Sequence, residues 1–241
     1  MISKNEQIKF LEKKGIQIGH ESLVTMVDLN KEFNYRYLDM PYIEEIGQEI
    51  WESIPTEIKK TQYTSNPAHK FKRSAKLIRS LQTIHSWNDI YVVGLIIVDP
   101  KSFLPIHVDT NYKHMYSLNI PIYNTCNKSM TYFFKPKNNS VTLKVLHACP
   151  KYNSKDSFYV SFLEDVEFLD CFPLVKPAIF NTHIPHAVVN DTDDFRCILS
   201  FRFNSPINFK KINDKFISVD LNINKKLIQD NIIETLSSYM Q

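Results

Sequence analysis

The sequence predicts an all-β sandwich or barrel, with helices before it and one more after it. Three observations carry that expectation. From residue 91 onward the chain is a series of short β-branched and aromatic runs, separated by Asn, Asp, Pro and Lys turns at regular spacing. Helical spacing of apolar residues is confined to the first ninety residues and to the tail. Between the runs there is no room for helical crossovers, which excludes a parallel α/β sheet.

The elements follow in order. Lys4 to Lys14 reads as a helix, with Ile8, Phe10 and Leu11 among charges. Pro41 to Ile54 reads as a second, with proline in its first turn and Pro55 closing it; Ile43, Ile46, Ile50 and Trp51 recur at helical spacing. Lys72 to Ile84 forms a third, basic outside, with Leu77, Ile78 and Leu81 inward. The β-branched run Tyr91–Val98 opens the strands. It is followed by Leu104–Asp109, Met115–Tyr123, Met130–Lys135, Val141–His147, Phe158–Phe162, Val166–Leu169, Ala178–Asn181, Ala187–Asn190 and Phe195–Phe203. Lys225 to Tyr239 returns to helical spacing through Leu227, Ile228, Ile232, Ile233 and Leu236. The division expected is a helical elaboration over 1–90, a β core over 91–204 and a helical extension over 205–241, within one domain overall.

Composition removes several function classes. The 241 residues are 43% hydrophobic, enough for a core and too many for a disordered chain. The net charge of +3 comes from Lys and Arg spread along the chain rather than set in a stripe, so nucleic acid is not indicated as a partner. No apolar run reaches the roughly 18 residues of a membrane span, and Met1 to Lys14 lacks the apolar stretch of a signal peptide; a cytoplasmic protein is expected. Cys126, Cys149, Cys171 and Cys197 form no CxxC pair, so reduced thiols are expected. Glycine occurs only at 15, 19, 47 and 94, which leaves no phosphate-cradling loop and no dinucleotide fingerprint.

The chemistry concentrates in a few residues. In His107-Val108-Asp109 the first and third side chains leave a strand on the same face, so an imidazole and a carboxylate stand side by side. That is two-thirds of the two-histidine, one-carboxylate set that holds non-haem iron(II) with open positions. Taken alone the triplet equally suits an ordinary strand end, with Asp109 opening a turn. A further histidine, His186, opens the strand-like Pro185-His186-Ala187-Val188-Val189-Asn190, 79 residues after His107. Ten residues beyond it comes Arg196, at the start of a strand.

This ordered set resembles the signature of the iron(II)/2-oxoglutarate-dependent dioxygenase superfamily: HxD, a distal His, then an Arg about ten residues on. The segment Ser117-Leu118-Asn119-Ile120-Pro121-Ile122 and the distal Pro185–Asn190 segment are also similar to members of it, with a general likeness to aspartyl/asparaginyl β-hydroxylase-like and phytanoyl-CoA-hydroxylase-like proteins. The likeness covers about residues 91–204. It implies a double-stranded β-helix (jelly roll, cupin-like), with the HxD and distal-His strands adjacent in one sheet and the Arg strand facing them. It implies Fe(II) held by His107, Asp109 and His186, 2-oxoglutarate as co-substrate with its distal carboxylate on Arg196, and O2. The activity implied is hydroxylation with release of succinate and carbon dioxide.

Alternatives attach to several residues. Asn119 and Tyr116 are candidates for the co-substrate pocket, but they lie on opposite faces of one strand, so at most one points inward. Some members carry Ser two residues after the Arg; here that residue is Ile198, so a helper for the carboxylate has to come from elsewhere. Arg202 shares a face with Arg196 but lies about 20 Å along the strand, so one co-substrate does not engage both. It reads as a salt-bridge former at the surface or with the C-terminal helix. His183, in a Pro-flanked turn, rivals His186. Trp87 and Tyr91 suit either a substrate mouth or the core. Tyr112, Tyr132 and Phe134 suit an anionic or amphipathic substrate, and the partner expected is a small molecule or a peptide side chain. Two other readings remain open: a cupin-like metal enzyme without 2-oxoglutarate, and a non-catalytic jelly-roll binding module.

Overall fold

The strands expected from residue 91 onward form, and every pairing between them is antiparallel. The computed structural model describes residues 2–14, 16–23, 33–56, 74–109, 115–137, 141–149 and 154–241. In chain order the elements are α1 (Lys4–Lys13), β1 (Ile16–Leu23), β2 (Tyr35–Leu38), α2 (Ile43–Ser53), α3 (Ala75–Gln82), β3 (Ile90–Val98), β4 (Ser102–Val108), β5 (Tyr116–Tyr123) and β6 (Ser129–Pro136). They continue with β7 (Val141–Cys149), β8 (Ser154–Ser161), β9 (Val166–Pro173), β10 (Ala178–Asn181), β11 (His186–Asn190), β12 (Arg196–Phe203), β13 (Phe216–Ile217) and α4 (Lys225–Tyr239). One sheet runs β1-β7-β8-β4-β11-β6-β9, the other β13-β2-β10-β5-β12-β3.

Two expectations need correction. The first ninety residues are not only helical: β1 extends the first sheet by pairing with β7, and β2 extends the second by pairing with β10. Both segments carry a period of two, Ile16/Ile18 and Tyr35/Tyr37, too short to stand out beside longer helices. The expected C-terminal helical extension likewise contains a strand, β13, which pairs with β2.

The helices form where local chemistry favours them. Ser3 and Glu6 make a reciprocal capping box at the start of α1. Ser74 caps α3 and Asn224 caps α4, each accepting from a backbone N–H of the first turn. Pro41 lies before α2 rather than in its first turn, and Tyr42 enters it from the left-handed region, φ 62°.

Packing is layered. α2 and α3 lay Ile46, Ile50, Leu77 and Leu81 on the outer face of the second sheet, against Leu118, Ile120, Leu199 and Phe201. α4 lays Ile232 and Leu236 on the outer face of the first sheet, against Phe103, Ile106, Met130, Tyr132 and Phe134. Tyr132 and Phe134 therefore belong to this outer core and not to a substrate surface; Tyr112 lies outside the described residues. With both outer faces covered, the alternation of each strand leaves the other side chains between the sheets. There β12 presents Arg196, Ile198, Ser200 and Arg202, while β5 presents Ser117 and Asn119. The interior between the sheets is thus the more polar of the buried regions.

α2 crosses β5 closely. Trp51 stacks on Tyr123 with ring centroids 3.9 Å apart, and a Cβ added at Gly47 would stand 3.4 Å from the Pro121 carbonyl oxygen. A methyl fits there and a longer side chain does not. Gly47→Ala is expected to stabilise the protein by about 0.5–1 kcal/mol through helix propensity. Gly47→Leu is expected to destabilise it by about 1–3 kcal/mol by prising α2 off the sheet. Urea midpoints of the two variants check the pair of signs.

Candidate metal centre

The site begins with the ladder between β4 and β11, where His107 stands directly opposite His186. Beyond this pair the register slips: Val188 stands opposite Leu104, so β4 carries one extra residue around Pro105 and Ile106. Proline suits such a bulge because it has no N–H to offer the ladder, and bulges re-aim the side chains beside them. The two imidazoles come together with ring centroids 4.3 Å apart. Asp109 follows just past the end of β4. Its N–H donates to the Thr182 carbonyl at 3.0 Å, which ties it to the turn leading into β11.

One donor atom from each of His107, Asp109 and His186 lies within 4.8 Å of the others. His107 Nε2 and Asp109 Oδ1 are 3.7 Å apart. The protonation of both rings follows from their partners. His107 Nδ1 lies 2.8 Å from the Pro105 carbonyl oxygen and His186 Nδ1 lies 2.9 Å from that of Ile184. A carbonyl only accepts, so each Nδ1 carries the proton and each Nε2 keeps its lone pair for a metal. Burial, with His107 alongside, pushes the His186 pKa down to about 3, so that ring is neutral, the state a ligand needs. On its other side His186 meets Phe180 edge-on at 5.3 Å.

Burial works against the charge of Asp109. Arg202, followed by His107, His186 and His183, outweighs it and holds the carboxyl below the usual range. Arg202 is buried and donates from Nη2 to Asp109 Oδ2 at 2.5 Å. This corrects the expectation of a surface or C-terminal-helix salt bridge. The face that Arg202 shares with Arg196 points at Asp109, and one oxygen of that carboxylate is occupied while the other faces the histidines. A two-histidine, one-carboxylate donor set of this kind fits a divalent transition metal.

Arg196 lies at the other end of β12, opposite Val98 on β3. It is 1% exposed, and its Nε and one Nη have no hydrogen-bond partner among the described residues. Burial pushes its pKa down to about 10; the neighbouring groups that act on its charge are the thiols of Cys197 and Cys126, not carboxylates. Among the described residues Cys126, Cys171 and Cys197 form no disulfide.

The other expected residues separate. Asn119 is buried on the inner face, opposite Ser200, with its Oδ1 unpartnered among the described residues. Tyr116 lies on the opposite face, packed against Phe33 and Phe209, away from the histidines. Trp87 packs on the outer core, whereas Tyr91 stands opposite Arg202 in the ladder. His183 is not one of the three grouped donors, although it acts on the charge of Asp109. The sequence reading missed the inward hydroxyls of Ser117, Ser129, Thr131 and Ser200. Their signal was polar residues at every second place in strands whose alternate residues are apolar.

No protein-family profile matches the chain, and no curated protein is found similar to it. Among solved structures, one match is a chain described as "Non-heme monooxygenase, ThoJ-Ni complex". It is 11% identical, covers 91% of this chain and 92% of its own length, and has a TM-score of 0.36, too slight a likeness to carry an argument. Among the described residues no helix is long and apolar enough to cross a membrane.

If the three grouped residues are the metal ligands, His107→Ala and His186→Ala each weaken Mn(II) or Co(II) binding by about 100-fold or more, because among the described residues no fourth donor joins the group. His85→Ala, whose ring bonds Ser205 at 2.9 Å in a separate part of the chain, leaves it unchanged. Calorimetric titration of the three variants checks this.

Proposed function

We propose that the chain is an iron(II)- and 2-oxoglutarate-dependent oxygenase built on a double-stranded β-helix over about residues 91–204, acting on a small molecule or an amino-acid or peptide side chain. The observation that carries this reading is Arg196. A guanidinium this deeply buried, with nitrogens unpartnered, calls for an anion that the described residues do not supply. It shares one interior with a His-Asp-His group suited to a divalent metal.

The strand order supports the fold named. Along the chain β3, β4, β5 and β6 alternate between the two sheets, and so do β9, β10, β11 and β12. Their spatial orders, β10-β5-β12-β3 and β4-β11-β6-β9, are those of two interleaved four-stranded sheets. β1, β7 and β8 extend one of these, and β2 and β13 extend the other.

In this reading His107 Nε2, His186 Nε2 and Asp109 Oδ1 hold the metal. When bound, iron supplies the oxidising chemistry that couples loss of carbon dioxide from 2-oxoglutarate to insertion of oxygen into a C–H bond, with succinate as the other product. The residues of the chain do the positioning. The Pro105 and Ile184 carbonyls fix the two imidazoles. Arg202 holds one oxygen of Asp109, so that the carboxylate offers its other oxygen and leaves coordination positions open. Arg196 takes the remote carboxylate, for which a planar, permanently charged donor pair is suited. Between these ends the second sheet presents small groups, Ser200 opposite Gly94 and Asn119 opposite Ala178, which leave width for a ligand. From His186 to Asn190 is about 13 Å along β11, a span that a five-carbon dicarboxylate and an arginine side chain bridge together.

Anaerobic titration with iron(II) and then 2-oxoglutarate tests the reading through the visible charge-transfer band of the chelate. The band is expected in the wild type, absent in His186→Ala, kept in His183→Ala, and shifted to at least tenfold higher 2-oxoglutarate concentration in Arg196→Gln. Iron binding without a band would favour a cupin-like metal enzyme instead. Neither metal binding nor band would leave a jelly-roll binding module.

A further inference from the structure

β13 is only two residues long, and its ladder with β2 ends early. Phe216 pairs with Leu38 and Ile217 with Tyr37, and among the described residues no strand continues the pairing to Tyr35. Backbone groups point to alternate sides along a strand. On β2 the Leu38 N–H and the Asn34 carbonyl turn toward β10, bonding the Pro177 carbonyl and the Asn181 N–H, while the Asp39 N–H turns the other way, to the Lys215 carbonyl. The Tyr35 N–H and C=O therefore face the side that β13 has left. There the chain opens a cavity of about 490 Å³, whose walls include Tyr35, Arg36, Asp170, Ser218, Val219 and Leu221. An unpaired strand edge is a template for another chain, and this one lies inside a slot as large as a ligand pocket.

The slot also carries a charge pattern. The one carboxylate on its wall, Asp170, is already taken by Lys225 Nζ at 2.6 Å. Arg36 is left. It is exposed, and its guanidinium is held between the Phe33 and Phe216 rings, 4.7 and 5.0 Å from their centroids. No carboxylate of the described residues lies within ion-pair distance of it. A planar cation clamped in this way loses little freedom on meeting an anion. On the other face of β2, Tyr35 lies flat on Phe172 with ring centroids 4.1 Å apart. A strand entering the slot thus meets a cation on one face and an aromatic stack on the other. The slot is also close to the His-Asp-His group, because Tyr35 stands opposite Phe180, whose ring meets His186 at 5.3 Å.

We propose that this slot docks an extended, acidic peptide segment, which adds itself to β2 beside Tyr35 where β13 stops and turns its acidic side chains toward Arg36. Main-chain hydrogen bonds supply the affinity and alternation supplies the choice of sequence. The peptide residue paired with Tyr35 shares its face and is apolar; the residues on either side of it point to the Arg36 face and are acidic. Paired antiparallel, as β13 is, the segment runs toward the Tyr35 end of β2, the end nearest His186. The inference goes beyond the oxygenase reading and rests on it in one respect: in that reading the peptide is the recognition segment of a substrate whose oxidised residue follows it in sequence.

The test uses the whole protein without metal or 2-oxoglutarate. The probes are the peptide Glu-Leu-Glu-Leu-Glu, blocked at both ends, and its counterpart Lys-Leu-Lys-Leu-Lys. Calorimetry reads binding, and hydrogen exchange reads the Tyr35 amide. The acidic peptide is expected to bind and, at saturation, to slow exchange of that amide by about tenfold or more; the basic one is expected to do neither. Methylating both leucine nitrogens of the acidic peptide is expected to weaken it about tenfold, by removing the N–H that pairs with the Tyr35 carbonyl. Arg36→Gln is expected to weaken it about threefold, the worth of an exposed ion pair, and Arg36→Glu to make the basic peptide the better ligand. Absence of binding overturns the inference. So does binding that leaves the Tyr35 amide unprotected, ignores methylation, or ignores the charge at residue 36. Failure of the chelate band described above, with the peptide still bound, overturns the substrate role and the oxygenase reading while the docking site stands.

Discussion

Burying a guanidinium is the constraint on which the rest of this structure turns. Moving a full charge out of water costs several kcal/mol even after relaxation, and the cost is recovered only by a close, well-oriented counter-charge. β12 carries two such groups on one face, and the fold treats them differently. Arg202 meets Asp109 at 2.5 Å, so its charge is matched within the chain. Arg196 meets no carboxylate among the described residues. The interior between the sheets therefore carries one positive charge more than the described residues balance there, at the end remote from the His-Asp-His group. In the proposed reading, the remote carboxylate of 2-oxoglutarate supplies the counter-charge that Arg196 lacks among the described residues.

The same constraint explains the layering. A sheet that keeps polar residues on its inner face has to earn its burial energy elsewhere, and here it does so on the outside. Leu118, Ile120, Leu199 and Phe201 lie under α2 and α3, and Phe103, Ile106 and Phe134 lie under α4. At roughly 25 cal/mol per Å² of apolar surface, these outer layers supply hydrophobic stabilisation that the interior forgoes in part. The inner aromatics gather instead beside the His-Asp-His group, where Phe133, Phe172 and Phe180 form a wall that meets His186.

Much of this was legible in the sequence, and the reasons for the remainder are physical. The strands after residue 90 announced themselves by length and by turn residues. His107, Asp109 and His186 announced themselves by period and order, and the structure brings their donor atoms together. Arg196 was legible by its spacing; its burial was not, because covering both sheet faces is a property of the whole fold. Tyr116 and Asn119 lie three apart in a strand, so parity alone said that one of them points away; the edge-to-face packing of Tyr116 on Phe209 decides which. β1 and β2 escaped notice because short strands are held by the edges they complete, β7 and β10, which lie far along the chain. Arg202 was placed on the correct face but given the wrong partner. Its six-residue offset from Arg196 separates the two along one strand, and it is Asp109, just past the end of β4, that Arg202 reaches.

The most direct test of the central claim is a crystal structure of the protein with Mn(II) and 2-oxoglutarate, grown without oxygen. The account predicts one carboxylate and the keto oxygen of the ligand at the metal between His107, Asp109 and His186, and the other carboxylate hydrogen-bonded to the guanidinium of Arg196. A structure in which Arg196 pairs with a carboxylate of the chain itself, with 2-oxoglutarate absent from the interior or held at Arg202, would contradict it.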